Sequence, residues 1–137
     1  MTISIGDTAP PLEQTITLAD IIAYAGATWD WHRMHYDPAY LQSRKLPAPV
    51  VDGQLFGALL VRQVQDWLGA TATLQRLHFR FKNLVFAGET VVCSTVVLAL
   101  EPQAEANVLT LGCAVAVLGA NARVAVAPAG AQVVVRR

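Results

Sequence analysis

The stretch GQLFGALLVRQVQDWL, residues 53–68, decides the fold. Phe56, Leu59, Leu60, Val64, Trp67 and Leu68 recur at helical spacing and form a wide apolar stripe, with Arg62, Gln65 and Asp66 on the opposite side. Gly53 opens this helix and Gly69 ends it. So apolar a helix needs a sheet around it rather than beside it, and the next part of the chain supplies one. Leu77, Phe79 and Phe81 alternate with His78, Arg80 and Lys82, the period of a half-buried strand. A connection at 83–89 turns at Ala87-Gly88-Glu89, and three β-branched runs then occupy 90–100, 108–118 and 123–135. Connections this short exclude parallel crossovers. The economical arrangement is α+β, with a curved antiparallel sheet wrapped around the central helix in a single domain over residues 1–137.

Upstream, residues 1–11 form a loose entry broken by Gly6 and the Pro10-Pro11 pair, and a short strand is expected at 12–17. Thr17 and Asp20 make a capping-box-like pair ahead of Leu18, Ile21, Ile22 and Ala25, which predicts a short helix running out near Gly26. Pro38 is well placed to open another short helix to about Arg44, since its missing N–H costs nothing there. A loop with Pro47 and Pro49 leads to Asp52-Gly53.

The bulk numbers narrow the function classes. A chain of 137 residues needs no staples to fold. A composition that is 54% hydrophobic and 15% charged argues for further surface buried in an oligomer, a homodimer or higher assembly or a heteromer. Ten basic side chains balance ten acidic ones, so neither nucleic acid nor an anionic membrane is an expected partner. Cys93 and Cys113 lie in separate apolar runs without metal-ligand spacing and read as buried thiols in a reducing compartment. The start of the chain has no basic stretch followed by an apolar one, and no window is long enough to span a bilayer. The expected location is the cytoplasm.

Most of the chemistry is concentrated in GATWDWHRMHYDP, residues 26–38. Asp30 and His35 are five residues apart across a non-helical bend, which can turn a carboxylate and an imidazole toward one cavity. Such a pair can deliver and remove protons around a small electrophile near neutral pH. The segment resembles the hydratase motif of MaoC-like proteins: an Asp, four residues, then a His, followed at a distance by the Gly that opens the central helix. Here those positions are Asp30, His35 and Gly53. The resemblance runs on through the strand and turn at 79–90.

Membership of this family, that of the (R)-specific enoyl-CoA hydratases, implies a hotdog fold. It also implies reversible hydration of a trans-2-enoyl-CoA thioester to a 3-hydroxyacyl-CoA. His35 would activate the water, Asp30 would orient it or exchange the α-proton, and the Gly53 N–H would stabilise the enolate oxygen. Coenzyme A enters as part of the substrate, and neither a metal nor a further cofactor is implied. The sequence departs from the family in two places. Asn-Pro between the Asp and the His is replaced by His32-Arg33, and the His before the helix-opening Gly is replaced by Asp52. Small MaoC-like subunits that act on bulky acyl chains, steroid side chains among them, depart in similar ways.

Each residue also has a plainer reading. Asp30 can cap a turn, and Asp52 can cap the helix at Gly53. Asp52 would otherwise serve as the acid of a hotdog thioesterase, the alternative activity; a non-catalytic acyl-binding subunit of a heteromer is the third reading. Trp31, Asp52 and Phe56 are the expected substrate contacts. His32 and Asp37, with Asp30 and His35, offer metal-ligand chemistry at an unfamiliar spacing, and the simpler expectation for His32 is an exposed loop or supporting residue. Trp29 and Trp67 are expected in the core or an interface, His78 facing solvent, and Arg44-Lys45 in a solvated loop, with coenzyme A phosphates as their other possible contact.

Overall fold

The computed structural model describes residues 2–137. In chain order it contains β1 (Leu12–Thr15), α1 (Leu18–Thr28), a single 3-10 turn (Arg33–His35), α2 (Pro38–Ser43), α3 (Gln54–Leu68), β2 (Ala72–Phe81), β3 (Thr90–Pro102), β4 (Ala106–Val117) and β5 (Arg123–Arg136). The strands form one sheet in the order β1-β3-β4-β5-β2, with every neighbouring pair antiparallel. This is the hotdog arrangement.

Burial of the α3 stripe organises the core. Phe56, Leu59, Leu60, Val64 and Leu68 belong to one apolar cluster with the inward residues of β3, β4 and β5, and Leu60 has no exposure at all. Gly53 and Gly57, four residues apart on α3, let β2 come close. A Cβ at Gly53 would lie 2.5 Å from the Phe81 ring, and one at Gly57 would lie 2.8 Å from the Phe79 ring. Alternation on β2 therefore places both aromatic rings on the helix, where only glycine leaves room for them. Gln63 is the polar exception on the buried face. Its amide N–H groups reach the carbonyls of Pro10 and Cys93, and its oxygen accepts from the Thr95 hydroxyl, so the burial leaves nothing unpaired.

The Thr17–Asp20 capping box forms as expected, with the Thr17 N–H donating to the Asp20 carboxylate at 2.8 Å and the Asp20 N–H donating to Thr17 Oγ1 at 3.2 Å. β1 stops at Thr15 because Thr17 is already that cap. Helix α1 continues past Gly26 to Thr28 and closes on Trp29, which is left-handed at φ 58°. The Trp29 N–H donates to the Ala25 carbonyl, as glycine commonly does at this position. β2 begins at Ala72 rather than Leu77, ahead of a register shift between Leu74 and Arg76 that interrupts the alternation. Among the described residues, no helix is long and apolar enough to cross a membrane.

Candidate active site

The segment joining α1 to α2 is shaped by hydrogen bonds of its own. The Asp30 N–H donates to the Ala25 carbonyl, and Asp30 Oδ1 accepts from the His32 N–H at 3.2 Å. His32 Nδ1 accepts from the Met34 N–H at 3.1 Å and so starts the 3-10 turn. Asp37 caps α2 by accepting from the Ala39 and Tyr40 N–H groups, and it pairs with Arg33 at 2.7 Å. That Arg33 bond, reinforced by the capping bonds, holds the Asp37 carboxyl below the usual carboxylate range. His32 and Asp37 thus build the loop.

His35 turns inward and is 5% exposed. Its ring is tied to strand-like backbone: Nδ1 lies 2.6 Å from the Val50 carbonyl oxygen, while the Val50 N–H returns to the Met34 carbonyl. A carbonyl only accepts, so Nδ1 carries the proton in this bond. In the neutral ring Nε2 then keeps its lone pair. Val50 and Val51 are themselves pinned to the β2–β3 connection, Val50 by a bridge to Phe86 and Val51 by its N–H to the Val85 carbonyl at 2.8 Å. The imidazole is therefore fixed by main chain on two sides.

Asp52 follows that crosspiece. Its Oδ1 accepts from the Gln54 N–H at 2.9 Å, which is the capping role expected of it, although Gly53 is the residue at the helix boundary. The Gly53 N–H has no acceptor within the protein among the described residues. One ligand atom each from Asp30, His35 and Asp52 lie within 4.8 Å of one another. Burial, with the Asp52 charge as the second cause, pushes the nearby Tyr24 phenol up.

These groups meet at a cavity of about 350 Å³ lined by Met34, His35, Asp52, Gly53 and Phe56 on one side and by Phe81, Lys82, Asn83 and Leu84 on the other. Asp30 stands at its rim, close to His35 and Asp52 but not among the lining residues. Of the expected substrate contacts, Asp52 and Phe56 line the cavity. Trp31 does not. Its ring lies over Gly26, edge-on to Tyr36 at 6.1 Å, and is 40% exposed. The bend that turns His35 inward leaves Trp31 on the outer side of α1. Trp29 is 80% exposed, so of the two expected places, core or interface, it does not occupy the core, whereas Trp67 is half-buried against the core. His78 is exposed and lies over Gly130, and Arg44 is exposed with its guanidinium over the Tyr40 ring.

Two contributors lay outside the sequence reading. The Val50 carbonyl acts through backbone and has no side-chain signature. Arg123 and Glu89 form a half-buried pair at 2.6 Å, and Arg123 also donates to the Leu84 carbonyl, bracing the cavity wall. Hydrogen bonding to Arg123 is the main reason the Glu89 carboxyl is held low.

Comparison with known proteins bears on the family and the fold. The family model of the MaoC like domain matches residues 4–116. A mitochondrial 3-hydroxyacyl-[acyl-carrier-protein] dehydratase of Arabidopsis thaliana is 30% identical over 82 residues, covering 59% of this chain and 48% of that protein. The chain thus matches about half the length of that curated relative. Among solved structures, the unliganded R-hydratase PhaJ1 of Pseudomonas aeruginosa superposes with a TM-score of 0.88 at 20% identity, covering 98% of this chain and 83% of that one. The (R)-hydratase of A. caviae involved in PHA biosynthesis gives 0.85 at 24%, covering 99% and 98%. A chain of the ChsH1-ChsH2 complex of Mycobacterium tuberculosis gives 0.83 at 22%, covering 100% of both. At these identities the solved structures establish the shared fold.

Proposed function

The chain belongs to the MaoC-like domain family, a hydratase/dehydratase family, and from that premise we propose that it adds water reversibly to a trans-2-enoyl thioester. The product is a 3-hydroxyacyl thioester, and coenzyme A is the proposed carrier. One observation carries the reading: a buried imidazole, tied through Nδ1 to Val50, has a ligand atom of Asp30 within 4.8 Å and lines a cavity together with Gly53, whose N–H has no acceptor within the protein among the described residues.

In the hydration direction, His35 Nε2 takes a proton from a water that Asp30 orients. The water oxygen bonds to the β-carbon, and the π electrons move to the α-carbon and the thioester oxygen. The Gly53 N–H, at the positive end of the 15-residue helix α3, stabilises that oxygen. The imidazolium then returns its proton to the α-carbon, which closes the proton balance on one base. Phe56 and Phe81 supply apolar walls for the acyl group.

The test is hydration of crotonyl-CoA and longer enoyl-CoA substrates. His35→Ala and Asp30→Ala should fold normally and lose turnover by on the order of 100- to 10,000-fold. Unchanged activity in either variant overturns the mechanism. A thioesterase reading is favoured by one feature, the Asp52 carboxylate within 4.8 Å of the His35 nitrogen. Thiol release separates the two, since hydration consumes the double bond without freeing coenzyme A.

The outer edge of the ten-residue strand β2 has no partner strand among the described residues. Phe81, 57% exposed, and Leu84, 46% exposed, lie where this edge meets the cavity. A long unpaired edge with apolar residues supports pairing with a second hotdog subunit, either a copy of this chain or a relative. If the chain were only the acyl-binding half of such a heteromer, the purified chain would show no hydration until the partner was added. Cys93 and Cys113 are both free and buried, which fits a reducing compartment such as the cytoplasm.

A further inference from the structure

Three side chains around the cavity, Asp30, His35 and Asp52, bring one ligand atom each to within 4.8 Å of one another. His35 offers Nε2, because Nδ1 is spent on the Val50 carbonyl at 2.6 Å. Asp30 offers Oδ2, because Oδ1 holds the His32 N–H. Asp52 offers Oδ2, because Oδ1 holds the Gln54 N–H. Neither carboxylate has a Lys or Arg partner within salt-bridge distance among the described residues. The imidazole is 5% exposed, and Nε2 has no protein partner; no buried side-chain atom is left unsatisfied among the described residues, so Nε2 is accessible from the cavity that His35 lines.

We propose that Asp30, His35 and Asp52 form a binding site for a first-row divalent cation such as zinc. One imidazole nitrogen and two carboxylate oxygens are an accepted donor set for such ions, with one or more positions left for water. Each donor is already oriented by a backbone group on its other atom, the carbonyl–histidine pairing at Val50 being the arrangement that fixes ring tautomer and raises basicity toward a metal. The donor atoms lie within 4.8 Å of one another. Tetrahedral coordination with bonds of about 2.0–2.1 Å asks for donors roughly 3.4 Å apart. Neither carboxylate lies within 4.0 Å of a His35 nitrogen, so Asp30, the exposed member, and Asp52 both turn their second oxygens inward to close that gap. The buried imidazole stays where Val50 holds it.

The cation occupies the lone pair that hydration requires. Binding and turnover therefore exclude each other, a consequence that rests on the proposed hydratase reading, whereas the binding itself does not. The test is calorimetric titration of the metal-stripped full chain with zinc alone, repeated with cobalt, whose visible spectrum reports nitrogen and oxygen coordination. Wild type should take up one ion per chain. Asp52→Asn and Asp30→Asn should each weaken binding by about 10-fold or more. Asparagine keeps the capping oxygen at both positions, so both variants retain the loop and the α3 cap.

Absence of saturable binding, or affinity unchanged in both variants, overturns the proposal. So does a cobalt spectrum showing thiolate coordination, which would place the ion on a cysteine. In a hydration assay zinc should abolish activity and a chelator should restore it; a chelator that abolishes the activity of wild type would instead overturn the exclusion. A chain that binds zinc as stated but hydrates nothing refutes the hydratase reading and leaves the site standing.

Discussion

The loop at 29–37 and helix α3 meet at the same cavity and are held there by different forces. Helix α3 is fixed by burial: Phe56, Leu60 and Val64 are at most 3% exposed, and two glycines admit aromatic rings from β2. The loop is mostly exposed and is fixed by short polar bonds, with His32, Asp30 and Asp37 all accepting backbone N–H groups. Only His35 crosses from one regime to the other. The contrast teaches where stability and chemistry reside. The helix gives the site a rigid positive end and an apolar wall. The loop brings the titratable groups to it, and the Val50 crosspiece joins the two.

Substitutions should separate these regimes. The largest effect belongs to His35→Ala, expected to lower hydration by on the order of 100- to 10,000-fold at temperatures where the variant is still folded. Steady-state kinetics beside a thermal melt check it, and a collapse of the fold with the activity would break the distinction. Leu60→Ala should do the reverse, costing about 2–5 kcal/mol in denaturant unfolding because its side chain has no exposure, with the remaining folded fraction still active.

Glu89→Gln sits between the regimes, since the Arg123 pair braces the Leu84 wall of the cavity. It should cost about 1–2 kcal/mol at neutral pH. Bonding to Arg123 holds the Glu89 carboxyl below its ordinary value. Its contribution is therefore complete above the ordinary carboxylate range and is lost as pH falls through the folded-state value. Wild type and Glu89→Gln should converge in acid, and a difference that persists there would exclude this ionic origin. Thr17→Ala should have the smallest effect, about 1 kcal/mol from loss of the capping box, with activity nearly unchanged. Chemical denaturation reads it; a large loss of activity would mean that α1 sets the loop geometry more strictly than its own hydrogen bonds do.

What the sequence made legible follows the same division. The stripe of α3, the Thr17 cap and the proline start of α2 are local patterns that form as read, and Phe79 and Phe81 both reach the helix although the register shifts between them and Phe81 stays exposed. The first half of β2 was hidden because the register shift between Leu74 and Arg76 breaks its period. At the site, Asp30, His35 and Gly53 were visible as spacing. Their convergence with Asp52 depends on the Val50–Phe86 bridge and on a backbone carbonyl, and neither has a side-chain signature. Trp31 does not line the cavity, and the left-handed residue at Trp29 that turns the chain there is a corner that residue types alone do not disclose.

The most direct test of the central claim is incubation of the purified chain with enoyl-CoA substrates of increasing bulk in isotope-labelled water, followed by mass spectrometry. The account predicts heavy oxygen at the third carbon of an intact thioester in wild type and none in His35→Ala. Label found in a released carboxylic acid, or wild-type incorporation that survives loss of the imidazole, would contradict it.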